Sequence, residues 1–173
     1  DASSNTTVVR RKSSGGATLQ EATSSYDEIE RRWKVERLFK NSSGSAVGDG
    51  VATTTFRHDK NSRITQVTDD NGDATLRYFD GGDRMWKVVD ALGESAGNKR
   101  EFEFDGNGNV LSETRSEYNQ FTQGTATLTI GYSWDVRNRN TLVVEDVGGQ
   151  AQETEKKWDS YGNLRQVIDT EGH

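Results

Sequence analysis

The feature that most constrains this chain is a stretch of sixteen residues that recurs along it. "HDKNSRITQVTDDNGD" (His58 to Asp73), "FDGGDRMWKVVDALGE" (Phe79 to Glu94) and "WDSYGNLRQVIDTEGH" (Trp158 to His173) all place Asp second, a hydrophobic residue seventh, Val tenth, Asp twelfth and Gly fifteenth. A recurring pattern of this kind marks an array, in which each unit buries its apolar side against its neighbours.

Six positions carry an aromatic residue or His followed by Asp: Tyr26-Asp27, His58-Asp59, Phe79-Asp80, Phe104-Asp105, Trp134-Asp135 and Trp158-Asp159. Three residues after each Asp stands Glu30, Ser62, Asp83, Gly108, Asn138 or Gly162, and next comes Arg31, Arg63, Arg84, Asn109, Arg139 or Asn163. Eight residues after the Asp come Val35, Val67, Val88, Val143 and Val167, with Glu113 in the fourth and poorest copy. An Asp carboxylate accepts from the backbone N–H two residues on and so starts a turn. Gly or Asn three residues later suits a type I turn closed by a left-handed residue. Gly108, Gly162 and Asn138 satisfy this requirement, whereas Ser62, Asp83 and Glu30 are expected to make different turns.

A second turn follows in each unit. Asp69 to Gly72, Asp90 to Gly93 and Asp169 to Gly172 share a D-x-x-G shape, and Glu145 to Gly148 comes close to it. Between turns lie short β-rich runs such as "RITQV", "LRQVI" and "TLVVE", and the chain returns as "ATLRYF", "REFEF" or "TEKKW". Such runs read as an antiparallel meander. Phe102 with Phe104, and Tyr132 with Trp134, each share a face at a period of two. "YDEIERRWKVERLF" (Tyr26 to Phe39) places Ile29, Trp33 and Leu38 near helical phase, but it also aligns with the repeat and is read as strand. The Asp-to-Asp spacing of 32, 21, 25, 30 and 24 leaves surplus in "FKNSSGSAVGDGVATTT" and "SEYNQFTQGTA", expected to be long connections. Long connections are where repeat proteins carry binding function.

Composition fits one thin sheet better than a globule. The hydrophobic fraction is 30% and Leu, Ile, Val and Phe fall just under the ~20% mark associated with disorder; a sheet that leaves both faces partly wet needs less. The net charge of −6 argues against a nucleic-acid partner. No run approaches ~18 apolar residues, so no membrane insertion by a helix is expected. The absence of Cys excludes disulfides, and two isolated His residues do not suggest zinc.

Several chemistries can be weighed against turn structure. Asp69, Asp70 and Asp73 cluster, as do Asp80 and Asp83, but carboxylates recurring at one turn position behave as turn residues rather than a catalytic pair. "DDNGD" (Asp69 to Asp73) and "DGNGN" (Asp105 to Asn109) resemble the start of a calcium loop without its closing Glu. Trp33 and Trp86 occupy a position where other copies have Thr65 and Arg165, so they are expected to be half exposed and are the candidates for stacking on a sugar. Trp134 and Trp158 fill repeat positions and are expected to pack on neighbouring strands. Asn5 and Asn41 head short glycosylation sequons.

The aromatic-Asp pair, the small residue three on, the Arg or Asn after it and the later D-x-x-G together resemble the YD repeats of the Rhs family, which includes Rhs polymorphic toxins, Tc toxin C components and teneurins. The resemblance spans about Ser24 to His173 and is best from Trp158 to Gly172. It implies β-hairpins laid side by side in a curved strip of a hollow shell or solenoid, enclosing the toxic part in the toxins and forming part of an adhesion receptor in teneurins. The proline-containing cleavage motif of the toxin cap has no counterpart, since the chain has no Pro.

The expectation is therefore an all-β array over residues 24–173, with an incomplete leading repeat at 1–23. Its expected role is structural and non-enzymatic, in a secreted or cell-surface protein, without cofactor or metal. Flanking repeats of the same chain or identical copies are the expected partners, because the repeat breaks mid-unit at both ends and free strand edges invite pairing. The alternative is an adhesion module that binds glycan or protein through its long loops.

Overall fold

A computed structural model describes residues 7–12, 14–16, 18–41, 43–90, 98–119, 121–147 and 149–172. Among them the chain is all β, with thirteen strands and no helix. Two compact units divide it, residues 1–77 with 90–93 and residues 78–89 with 94–173.

In the first unit the strands are β1 (Val8–Lys12), β2 (Thr18–Tyr26), β3 (Arg32–Lys40), β4 (Ala46–His58), β5 (Ile64–Thr68) and the start of β6 (Ala74–Phe79). From β2 on, each pairs antiparallel with the strand before it, through pairs such as Val9 with Ala22, Val35 with Thr54, Phe56 with Val67 and Val67 with Thr75. The second unit holds β7 (Met85–Val89), β8 (Lys99–Phe104), β9 (Val110–Asn119), β10 (Gly124–Trp134), β11 (Asn140–Val147), β12 (Gln150–Trp158) and β13 (Leu164–Ile168). It too is an antiparallel meander in chain order. A meander follows from this sequence because the breaks between the β-rich runs carry turn residues.

At five of the six Asp turns the hairpin carries a register shift beside the aromatic that precedes the Asp, at Ser25/Tyr26, Arg57/His58, Glu103/Phe104, Ser133/Trp134 and Lys157/Trp158. The left-handed residue of each turn adds one residue to one strand, which is a bulge.

Little is enclosed. Val35, at 4% exposure, is the most buried hydrophobic residue among those described, with Ala74 and Ile130 next. Val67, Val88 and Val143 are half-buried, while Val167 is 45% exposed. Glu113 stands in the Val position of the fourth copy and is 8% exposed. Its Oε1 accepts from Arg115 Nε at 2.7 Å and lies 3.5 Å from Arg100 Nε, so an ion pair takes the place of a methyl contact. Phe102 and Phe104 stack with ring centroids 6.3 Å apart.

Three expectations from the sequence need correction. The surplus residues lengthen hairpins rather than form long loops: β4 runs thirteen residues, and β10 pairs with β9 as far as Gly124 with Asn119. Thr- and Gly-rich polar runs lack loop-breaking Pro, and an antiparallel partner satisfies their backbone better than water-filled excursion does. The turn expected at Glu145 to Gly148 lies later, since β11 continues through Val147, which pairs with Gln150. The third correction concerns the turns at Glu30, Ser62 and Asp83, and its geometry belongs to the site. Gly93, Gly148 and the turn at Asp90 to Gly93 fall on or run into 91–97 and 148, outside the described residues.

Candidate functional site, an arginine-linked ladder of aspartate turns

Each aromatic-Asp pair heads the same hydrogen-bonded turn. At Asp135 the backbone N–H donates to Arg139 O at 3.0 Å and Asn138 N–H donates back to Asp135 O at 3.0 Å. Asp135 Oδ1 accepts from Arg137 N at 2.8 Å and Arg139 N at 3.0 Å, while Oδ2 accepts from Arg139 Nε at 2.7 Å. Asp27, Asp59 and Asp80 repeat this set with Arg31, Arg63 and Arg84. At Asp105 and Asp159 the amides of Asn109 and Asn163 replace the guanidinium, at 2.8 and 3.0 Å. Asp159 Oδ2 also accepts from Arg165 Nε at 2.8 Å.

The residue three after Asp is left-handed in all six turns, whatever its identity: φ is 65° at Glu30, 63° at Ser62, 63° at Asp83, 59° at Asn138, 91° at Gly108 and 92° at Gly162. The expectation that Glu30, Ser62 and Asp83 make different turns is thus overturned. Four or more hydrogen bonds over-determine the turn, and they outweigh the left-handed penalty of roughly 1–2 kcal/mol that a Cβ brings.

The second turns use the same device. Asp69 Oδ1 accepts from Asn71 N and Asp73 N at 2.9 Å, with Gly72 left-handed at φ 88°. Asp169 accepts from Glu171 N at 3.0 Å and closes on Gly172. The Asp69 carboxylate of the calcium-like loop is thus engaged by the backbone, as is Asp105 by Asn107 and Asn109 N–H. Asn41, the head of a sequon, is a further turn-former: its Oδ1 accepts from Ser43 N at 3.1 Å and Ser45 N at 2.9 Å. Asn5 lies outside the described residues.

Three of these arginines also reach forward. Arg31 Nη1 donates to Asp59 O at 2.8 Å, Arg84 Nη1 to Asp105 O at 2.9 Å and Arg139 Nη1 to Asp159 O at 2.8 Å. Arg84 lies 4.7 Å from the Phe104 ring centroid and Arg139 lies 5.7 Å from that of Trp158. One guanidinium therefore holds its own Asp, the next Asp carbonyl and the next aromatic face. The fork geometry of Arg allows this; a Lys ammonium has no fixed fork. The two repeat tryptophans reach backward: Trp134 Nε1 donates to Val110 O at 2.7 Å and Trp158 Nε1 to Asn140 O at 2.8 Å. Where Asn109 stands in for Arg, its amide donates instead to Asn138 Oδ1 at 2.9 Å, as does Asn107 at 3.1 Å.

These bonds hold the six carboxyls below their ordinary range. The Arg31 and Arg84 backbone N–H groups contribute most at Asp27 and Asp80, and the Arg139, Asn109 and Asn163 side chains contribute most at Asp135, Asp105 and Asp159. At Asp59 desolvation is the largest influence and pushes upward, but the bonds from Arg63 and Asn61 together prevail.

The sugar-stacking candidates sit elsewhere. Trp33 and Trp86 are both partly exposed, and Trp86 lies 6.0 Å from Tyr78 with Lys87 Nζ 5.7 Å from the indole.

No family model matches this sequence, and no curated protein matches it. Solved structures do. One is the crystal structure of TcdB2-TccC3 without hypervariable C-terminal region, at a TM-score of 0.56 and 15% identity, covering 92% of this chain. The chain spans only 7% of that protein's length. Crystal structures of TcdB2-TccC3-Cdc42 and TcdB2-TccC3 align over 93% of this chain and 12% of theirs, at TM-scores of 0.49 and 0.48 and 10% identity. The first likeness is one of fold: an all-β meander of hairpins.

Sequence reasoning missed the forward reach of Arg31, Arg84 and Arg139. The signal was present, as Arg at one fixed offset from Asp, but spacing alone does not say which carbonyl the second nitrogen meets.

Proposed function

We propose that this chain is a structural, wall-forming YD-repeat segment of a larger exported or cell-surface protein of Rhs type, without enzymatic activity, whose partners are flanking repeats. The observation that carries this reading is the ladder itself. Its polar side chains are spent on holding one hairpin to the next, through Arg31, Arg84, Arg139, Trp134 and Trp158. Such groups stiffen a sheet, and the six Asp carboxylates that head the turns are engaged by backbone N–H groups and by Arg or Asn side chains. The likeness in fold to the TcdB2-TccC3 structure supports the reading. Electron microscopy of the full-length polypeptide that contains this segment tests it. The segment is expected to continue into neighbouring hairpins as part of a sheet that encloses a cavity; a segment standing apart as a separate domain would overturn the proposal.

A second reading, glycan adhesion, rests on the exposed Tyr78–Trp86 pair. With most of the surplus residues in strands, the connections that could bind are short, and exposed aromatics, this pair and Trp33, are what favour it. A glycan array on the isolated chain separates the two: no saturable binding is expected under the wall reading, and binding lost in Trp86→Ala is expected under adhesion.

A further inference from the structure

The first unit carries a groove that the ladder does not use. Strand pairing sets Val9 opposite Ala22, Ala22 opposite Arg37, and Arg11 opposite Gln20. Residues two apart share a face, so Val9 with Arg11, Gln20 with Ala22 and Arg37 with Phe39 present to one side of β1, β2 and β3. Together they line an open cavity of about 340 Å³. Val9 and Phe39 are each more than half exposed within it.

The charge on this face has one sign. Glu21, the lining residue that bears a carboxylate, pairs with Arg10 in the register and accepts from its Nε at 2.5 Å and Nη2 at 3.4 Å. Arg10 alternates with Arg11, so that ion pair draws the carboxylate to the opposite face. Among the described residues, no hydrogen bond or ion pair engages the guanidinium of Arg11 or Arg37. Two free guanidiniums thus share a partly apolar groove on a chain whose net charge is −6. β1 and β3 lie two strand spacings apart, about 10 Å, and Arg11, opposite Gln20, is two residues along from Arg37, opposite Ala22; two extended Arg side chains can close this diagonal of about 12 Å over one bound group.

We propose that this groove binds a small amphipathic organic monocarboxylate, its apolar tail against Val9, Ala22 and Phe39 and its carboxylate between Arg11 and Arg37. Guanidinium forks match carboxylate geometry, and the cavity volume lies at the lower end of the ~300–1,000 Å³ range of small-molecule sites. A purely apolar ligand would leave both guanidiniums unused, and a multiply charged one would leave Val9 and Phe39 unused.

Titration calorimetry of the whole 173-residue chain with octanoate, and with octanol as its neutral match, tests the site. Saturable one-to-one binding of octanoate is expected, with octanol roughly tenfold weaker or worse. Arg11→Gln with Arg37→Gln should weaken octanoate by roughly tenfold or more, whereas Arg57→Gln with Lys60→Gln, an equal change in net charge elsewhere, should leave it within about twofold. Dichroism checks that each variant keeps the wild-type sheet. If the double variant loses it, Arg37→Gln alone serves, with a loss of about threefold or more expected. Octanol bound as tightly as octanoate, equal weakening by the control pair, an unchanged Arg37→Gln variant, or no saturable octanoate binding would each overturn the proposal.

Discussion

At the scale of single residues, the Asp that heads each turn does two separable jobs. Oδ1 collects backbone N–H groups, and Oδ2 holds the Arg or Asn side chain four residues on. Asn41 performs the first job without charge, which shows that an amide oxygen suffices for it. Asp135→Asn should therefore lower the urea midpoint less than Asp135→Ala, which orphans two backbone donors and Arg139 Nε together; equal midpoints would mean that the backbone bonds contribute nothing. The left-handed position gives a second prediction. Ser62 has φ 63°, so Ser62→Gly should raise stability by about 0.5 kcal/mol, the relief of Cβ strain less the added entropy of Gly. Gly162, at φ 92°, should respond oppositely, with Gly162→Ala costing about 1 kcal/mol in the same urea titration. The sequence made the Asp and the Gly or Asn of these turns readable, because each residue type has a local reason to be there. It misjudged Glu30, Ser62 and Asp83 because propensity speaks for one residue alone, while the closing bonds from Asp27, Asp59 and Asp80 act on the whole turn.

At the scale of elements, hairpins are coupled by backbone ladders and by side chains at the turns rather than by an enclosed core. The Arg139 guanidinium joins the turn at Asp135 to that at Asp159. Arg139→Lys keeps the charge but cannot reach Asp135 Oδ2, Asp159 O and the Trp158 ring at once, and should cost about 1–2 kcal/mol. Coupling should show as well: in a double-mutant cycle with Trp158→Phe, which removes the bond to Asn140 O, the two losses should not add, because both groups meet at one joint. Additive urea midpoints would show that the joint is two independent contacts. Strand order was legible at this scale, since turns of fixed chemistry between short β-rich runs leave a meander as the simplest path. The length of β4 and β10 was not: a Gly- and Thr-rich run has the composition of a loop, and only its cross-strand partner decides otherwise.

At the scale of the whole molecule, two electrostatic effects oppose each other on acidification. The chain carries a net charge of −6 at neutral pH, so protonating carboxylates relieves general repulsion and favours the folded state. Against this stand six carboxyls, at Asp27, Asp59, Asp80, Asp105, Asp135 and Asp159, all held below their ordinary range in the folded chain. A group whose pKa is lowered on folding stabilises fully above its unfolded value, about 3.9 for Asp, and loses that contribution as pH falls through the folded value. Below about pH 4 the unfolded chain therefore takes up protons that the turns must surrender bonds to accept. The bonded turns should dominate, because each Asp accepts from specific backbone N–H groups that no counter-ion replaces, whereas diffuse repulsion is screened within about 10 Å at 0.1 M salt. The urea midpoint, followed by dichroism, should stay level between about pH 7 and 5 and fall steeply below about pH 4, with the fall persisting in high salt. Replacing Asp27, Asp135 and Asp159 together by Asn should lower the plateau and flatten the acid limb, since those three turns then have nothing to titrate. A midpoint that climbs on acidification would show that net charge governs this protein and that its turns are electrostatically idle.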